Sequence, residues 1–222
     1  MKRIAIPELL DTDNGTPAEV ASSLVDLNRI NRWFGGVSTT SSLILEIAEK
    51  INANSLSLLE VASGAGYVPQ ATSRTVSRRG VQLNITLLDY NASHLRDRNG
   101  SGAVSGDAVS LPFRDESFDI VSSCLFLHHL PPEAVVASVK EGLRVCRTAV
   151  VINDVIRHPI HLALVYASLP LYRSRLTHHD APASVRQAYT LEEMREMLRK
   201  TNASKVDARK QFLFRMGIIV WK

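Results

Sequence analysis

Three carboxylates in this sequence each close a short apolar run, and each stands beside residues too small to block a ligand. Glu60 ends LSLLE and leads into VASGAG, Asp89 ends LNITLLD, and Asp107 follows SGAVSG. A turn made of Ala62, Ser63, Gly64, Ala65 and Gly66 lets a ligand come close to the backbone and directs amide N–H groups at it. If the three runs are neighbouring strands of a parallel sheet, the acids converge on the crevice at its carboxyl edge. Asp89, 23 residues past Gly66, then stands where two ribose hydroxyls could donate to it. Asp107 could meet an adenine amino group, and Glu60 could hold the turn or face an ammonium.

A second set of residues could handle a proton. His128 and His129 follow FDIVSSCLFL, His178 and His179 precede Asp180 in a polar patch, and Asp154 follows TAVVIN. A phenol with a pKa of about 10 must lose its proton at or before attack on an electrophile, so a neutral imidazole or a carboxylate in hydrogen-bond reach is the group to look for. His129, His178 and Asp154 are the candidates. A plainer role competes for each: a loop and helix start at His128-His129, solvated surface at His178-His179, a structural turn at Asp154.

Positioning these groups requires an alternation of strands and helices. Residues 56–62, 83–89, 118–123 and 148–153 read as strands, with helices at 66–79, 91–97, 132–143 and 191–200, which implies parallel strands joined by crossovers. The last helix starts at the capping box Thr190-Leu191-Glu192-Glu193, and 204–221 alternates like an antiparallel hairpin. Upstream, Thr16-Pro17-Ala18-Glu19 is a capping box followed at helical spacing by Leu24, Leu27, Ile30 and Phe34, and Gly35-Gly36 ends that helix. A second helix is expected from Ser41 to Lys50. The reading is a single α/β domain over 1–222 with a doubly wound sheet, a helical cap (1–52) and a lid insertion (157–189).

Composition narrows the class. The chain has 222 residues, 45% hydrophobic and 22% charged, the balance of a globular protein with a substantial core. The start MKRIAIPELL lacks the long apolar region of a signal peptide, and IHLALVYASLPL at 160–171 is too short for a membrane span. Two cysteines without a CxxC suggest neither a disulfide framework nor a zinc site, so a reducing cytosol fits. The net charge of +4 is spread through the chain, which favours a solvated surface over a nucleic-acid footprint.

The order of these motifs resembles class I S-adenosylmethionine-dependent methyltransferases: E-x-A-x-G-x-G after strand one, Asp at the end of strand two, GDA, then FDIVSSCLFLHHL, covering about residues 55–153. The resemblance implies a seven-stranded, mostly parallel, Rossmann-like sheet with S-adenosylmethionine as cofactor. Glu60, Ala62, Gly64 and Gly66 would then hold its methionine part, Asp89 and Tyr90 the ribose, and Asp107 and Ala108 the adenine, and Ser123 at the end of strand four is also expected to bind the cofactor. Ala62 stands where many members have glycine, and EGLRVCRTAV replaces the usual proline-glycine-glycine before strand five. PELLD, LNRINRWFGG and SVRQAYTLEEM are similar to small bacterial methyltransferases acting on quinols or phenolic polyketides. That likeness implies a small hydrophobic aromatic acceptor, methylated on oxygen or carbon, under the cap and the insertion. A homodimer is compatible with this reading.

Two alternatives compete. An NAD-dependent oxidoreductase shares the glycine turn and the distal acid, but Pro69 occupies the third glycine position of its fingerprint. A non-catalytic cofactor-binding module could keep the same fold. Nucleic-acid methylation lacks its signatures here: no Asn/Asp-Pro-Pro-aromatic turn follows strand four, and Cys124 has no preceding proline. The oxygen-ligand set of Mg²⁺-assisted transfer is incomplete, so no metal is expected.

Overall fold

The segments CRTAVVINDV and RMGIIVW are apolar on successive residues, the pattern of strands covered on both faces. In the computed structural model, which describes residues 1–11, 15–92, 95 and 102–222, they form β5 (Cys146–Val155) and β7 (Arg215–Trp221) of a seven-stranded sheet. The other strands are β1 (Ser55–Val61), β2 (Gln82–Asp89), β3 (Gly102–Ser105), β4 (Phe118–Cys124) and β6 (Lys205–Gln211), in the order β3-β2-β1-β4-β5-β7-β6. β7 is antiparallel to both its neighbours, and the other pairings are parallel.

Alternate residues of the central strands feed two cores. Val150, Ile152, Ile218 and Val220 join Val135, Val139 and Leu143 of α4 (Pro132–Val145) and Met194 and Met197 of α7 (Leu191–Leu198). Ala149, Val151, Ile219 and Trp221 join Leu43, Ile44 and Ile47 of α2 (Gly36–Lys50) and Val76 of α3 (Tyr67–Ser77). Each fully buried aliphatic side chain contributes roughly 1.5–3 kcal/mol, so the sheet is a firm platform. The strand order reverses between β1 and β4, and their carboxyl ends open the crevice where ligands bind in such sheets.

Two expectations need correction or restriction. α2 begins at Gly36, not Ser41: Gly35 adopts φ +84 and turns the chain directly from one helix into the next, and Asn153 Nδ2 donates to the Gly36 carbonyl at 2.7 Å. The helix expected over 91–97 falls largely outside the described residues.

Above the crevice lies α1 (Pro17–Trp33), started by the expected Thr16/Glu19 capping box. Its buried residues are the polar Ser23, Asp26 and Asn31, so its apolar ridge is not spent on the core. Asp26 Oδ2 accepts the Arg173 and Ser174 amides, both at 2.9 Å, tying α1 to the start of α6 (Arg175–Gln187). The insertion also contains α5 (Pro159–Ser168) and a short 3₁₀ turn, Leu169–Leu171. α6 buries Leu176, Ala183 and Val185 among others, whereas α5 has no buried residue. Residues 1–11 run as a strap over α6: the Arg3 guanidinium donates to the Gln187, His128 and Leu130 carbonyls, and Asp180 accepts the Leu9 and Leu10 amides. No helix among the described residues is long and apolar enough to cross a membrane.

Candidate active site

The β1–α3 turn is held in a conformation that suits small residues. Ala62, Gly64 and Gly66 all have positive φ (+52, +51 and +70). A Cβ at Gly66 would come within 2.7 Å of Leu87 Cδ1, so glycine is needed for the helix to sit against β2. A Cβ at Gly64 would meet nothing within 4 Å. The space above Gly64 is open, although the backbone around it is fixed. Asp89 fixes it, accepting the Gly64 amide at 2.8 Å and the Asn91 amide at 3.0 Å.

That space belongs to a cavity of about 480 Å³ at the switch point. Glu60, Ala62, Gly64, Asp89, Tyr90, Asp107 and Ala108 line it; Gly66 and Ser123 do not, Gly66 serving as the helix start and Ser123 lying buried in β4. Glu60 is 2% exposed, and its Oε2 has no hydrogen-bond partner among the described residues. Burial pushes its carboxyl up to about 7. A desolvated carboxyl with one oxygen unpartnered in a cavity wall asks for a cation or donor from a ligand. Asp107 is exposed and accepts the Val109 amide at 3.0 Å, which leaves acceptor capacity for the cavity.

A second cavity of about 410 Å³ lies under the cap and the insertion, lined largely by apolar side chains such as Leu27, Ile30, Phe34, Leu164, Val165 and Phe214. Here the apolar ridge of α1 finds its purpose: Leu24 and Leu27 face the first cavity, and Leu27, Ile30 and Phe34 the second. Of the insertion's apolar residues, Leu164, Val165 and Leu171 line this cavity, and Leu162 and Leu169 do not. Glu8, Leu10, Leu27, Leu125 and Ser184 line both cavities and form their common wall.

The proton-handling candidates separate sharply. Asp154 is 2% exposed and lines neither cavity; its Oδ1 lies 2.6 Å from His128 Nδ1, and its Oδ2 accepts the His128 amide. His128 Nε2 lies 3.5 Å from Glu8 Oε1. Burial alone would lower the His128 imidazole, but Asp154 and then Glu8 push it up to about 10, so it is an imidazolium at neutral pH and has no lone pair to offer. Burial likewise opposes ionisation of Glu8, yet the imidazolium of His128 beside it holds it down at about 2. Asp154 is held below the usual carboxylate range in the same way, against its burial, by His128.

His129 lines the first cavity, with Nδ1 2.6 Å from Asp11 Oδ2 and Nε2 3.8 Å from Glu8 Oε1. His178 is exposed on α6, 3.0 Å through Nε2 from the Tyr172 carbonyl, and lines neither cavity. The fold therefore brings His129 to the cofactor-side cavity, uses Asp154 to anchor His128, and leaves His178 outside. Cys124 also borders the first cavity, but burial, with Arg215 only partly offsetting it, raises its thiol to about 12, which rules out a ready nucleophile. Sequence reasoning gave no role to Glu8 and Asp11. Both lie in the PELLD segment that carried part of the resemblance, whose acids are the counter-charge the His-His pair needs.

Residues 59–152, which contain the glycine turn and all three crevice acids, match the protein family described as a methyltransferase domain. No curated protein matches the chain. Among solved structures, the plantazolicin methyltransferase BpumL in complex with SAH is 12% identical, with 97% of this chain and 94% of that one covered and a TM-score of 0.70. The plantazolicin methyltransferase BamL, in complex with a triazolic desmethylPZN analog and SAH, is 15% identical over 90% of both chains, TM-score 0.66. A SAM-dependent methyltransferase from Aquifex aeolicus is 13% identical, covering 75% of this chain and 81% of its own, TM-score 0.51. The architecture is that of class I methyltransferases. Residues 59–152 are thus a methyltransferase domain on that fold. An NAD-dependent oxidoreductase and a non-catalytic module are not favoured.

Proposed function

We propose that this enzyme transfers the methyl group of S-adenosylmethionine to an oxygen, or to a carbon beside a phenolic oxygen, of a small phenol- or quinol-like aromatic molecule. One observation carries the acceptor class: an apolar cavity of about 410 Å³ sharing a wall with the cofactor cavity. A pocket of that kind takes a flat hydrophobic molecule and orients it through few polar groups. The neighbours' azole ligands do not transfer at 12–15% identity, so the acceptor rests on the cavity.

In this reading Glu60 receives the cofactor's ammonium, the space over Gly64 its methionine chain, Asp89 with Tyr90 its ribose, and Asp107 with Ala108 its adenine; Gly66 and Ser123 support the turn and β4 from behind. The sulfonium is already activated, so the protein gains rate mainly by aligning acceptor and methyl group. The remaining need is a proton acceptor, and His129 fills it, oriented by Asp11. Asp154 acts at one remove, holding His128 and through it Glu8; His178 keeps only a surface role. α5 and the 3₁₀ turn serve as the lid, because α5 lacks buried anchors. Hydrogen exchange in α5 should fall when cofactor and acceptor bind together, and strong protection in the free protein would make the segment a fixed wall.

The deciding experiment incubates the enzyme with labelled S-adenosylmethionine and a panel of phenols and quinols, with mass spectrometry of the products. A methylated phenol or quinol is the expected outcome. Transfer only to amines, peptides or nucleic acid by a protein that binds S-adenosylhomocysteine would defeat the acceptor assignment.

A further inference from the structure

The polar groups around the apolar cavity are nearly all committed to protein partners. Ser23 Oγ lies 3.1 Å from Thr177 Oγ1, Ser168 Oγ 3.1 Å from the Tyr172 hydroxyl, and Ser184 Oγ donates to Glu8 at 2.6 Å. Asp180 accepts two backbone amides, and the Arg215 guanidinium donates to Asn31, Asn153 and the Phe34 carbonyl. His161 is different.

His161 sits on α5 and lines this cavity but is not part of the wall shared with the cofactor side. Its Nδ1 lies 3.0 Å from the Ile156 carbonyl. A carbonyl can only accept, so Nδ1 carries the proton and the Nε2 lone pair is left over. Nε2 has no hydrogen-bond partner among the described residues. The ring is fixed in place by stacking on Phe214, with centroids 5.2 Å apart and planes 10° from parallel. Burial lowers the imidazole's pKa, the hydrogen bond to the Ile156 carbonyl opposes this, and the nearby Arg215 and His158 reinforce it, which leaves Nε2 unprotonated at neutral pH.

The support behind the ring is itself held under constraint. Leu213 and Phe214, in the turn between β6 and β7, have φ +49 and +60, a region that non-glycine residues occupy only where their surroundings compel it. Both line the cavity. The Phe214 carbonyl accepts the Ile156 amide at 2.7 Å, so one short segment, Ile156 to His161, carries both the tautomer-setting carbonyl and the ring it sets.

We propose that His161 Nε2 is the recognition point of the apolar cavity, and that the acceptor carries, away from the position methylated, a second hydrogen-bond donor such as a hydroxyl or N–H group. This rests on assigning the cavity to the acceptor. A buried lone pair left unpaired is costly, so an acceptor without the donor is discriminated against at this point.

The test uses the full chain saturated with S-adenosylhomocysteine and titrated calorimetrically with 2,6-dihydroxynaphthalene and with 6-methoxy-2-naphthol, which keeps the ring system and one phenol but lacks the second donor. The expected preference for the diol is on the order of 10-fold. His161→Phe, which keeps a ring against Phe214, should erase that preference without changing S-adenosylhomocysteine affinity, and His161→Gln, which restores an acceptor oxygen, should recover part of it. Equal affinities in the wild type, a preference unchanged in His161→Phe, or binding of neither naphthol overturns the proposal. Failure of S-adenosylhomocysteine itself to bind would instead sink the cofactor assignment beneath it.

Discussion

The two cavities meet at one wall but are built in opposite ways. The floor of the cavity proposed for the cofactor is made of backbone: a turn of small residues at the end of β1, fixed by the Asp89 carboxylate on the Gly64 and Asn91 amides, all within about 35 residues of chain. The cavity proposed for the acceptor is made of side chains brought from residue 8, α1, the insertion with α5 and α6, and the β6–β7 turn, four stretches far apart in sequence. A backbone site tolerates little change at its small residues, whereas a side-chain site can be retuned one position at a time. One fold can therefore keep a single cofactor while its acceptors vary.

The largest expected effect falls on the backbone side. Gly64→Val places a branched side chain in the open space over the turn and strains a residue at φ +51. S-adenosylhomocysteine binding by calorimetry should be lost, and retained affinity in a folded variant would mean the cofactor lies elsewhere. Next comes the common wall: His129→Gln should cost roughly 10² to 10⁴ in turnover with cofactor affinity kept. A change confined to acceptor KM would make His129 a positioning residue rather than the base.

Asp89→Ala sharpens the comparison, since that carboxylate supports the turn and, in the proposed reading, receives the ribose. A weakening of S-adenosylmethionine binding by about 2 kcal/mol or more is expected, with acceptor affinity in the pre-saturated enzyme little changed. Glu60 gives the backbone site a pH signature. Its carboxyl titrates near 7 when the cavity is free, and an ammonium beside it would lower that value. Binding therefore releases a proton and tightens as pH rises through about 7, by on the order of 10-fold between about pH 6 and 8. Calorimetry in buffers of different ionisation heat would show the released proton, and pH-independent affinity would remove Glu60 from ammonium binding. The smallest effect is expected at Ala62, held at φ +52: Ala62→Gly should relieve the strain and raise stability by up to about 1 kcal/mol in denaturant unfolding. A loss of stability would show that the methyl group's packing outweighs its backbone cost.

The sequence by itself determined the sheet and the cofactor side. Strand-length apolar runs, capping boxes at Thr16 and Thr190, and acids at run ends are local signals, and the parallel crossovers they imply leave few ways to place Glu60, Asp89 and Asp107 except at one edge. Only the tertiary structure decided the rest. Glu8 lies 120 residues before His128, and nothing in either segment announces that the strap returns to meet the strand-four loop. His128 and His129 are neighbours in sequence, yet burial between Asp154 and Glu8 makes the first a fixed imidazolium while the second faces the cavity. His161 lies within the apolar stretch 160–171 without a signal of its own, because its role depends on the Ile156 carbonyl and the Phe214 ring. Periodicity reports which face of an element is apolar, and α1 shows the limit of that rule: its ridge was legible, but that it lines two cavities instead of the core depends on what packs opposite, which is a property of distant segments.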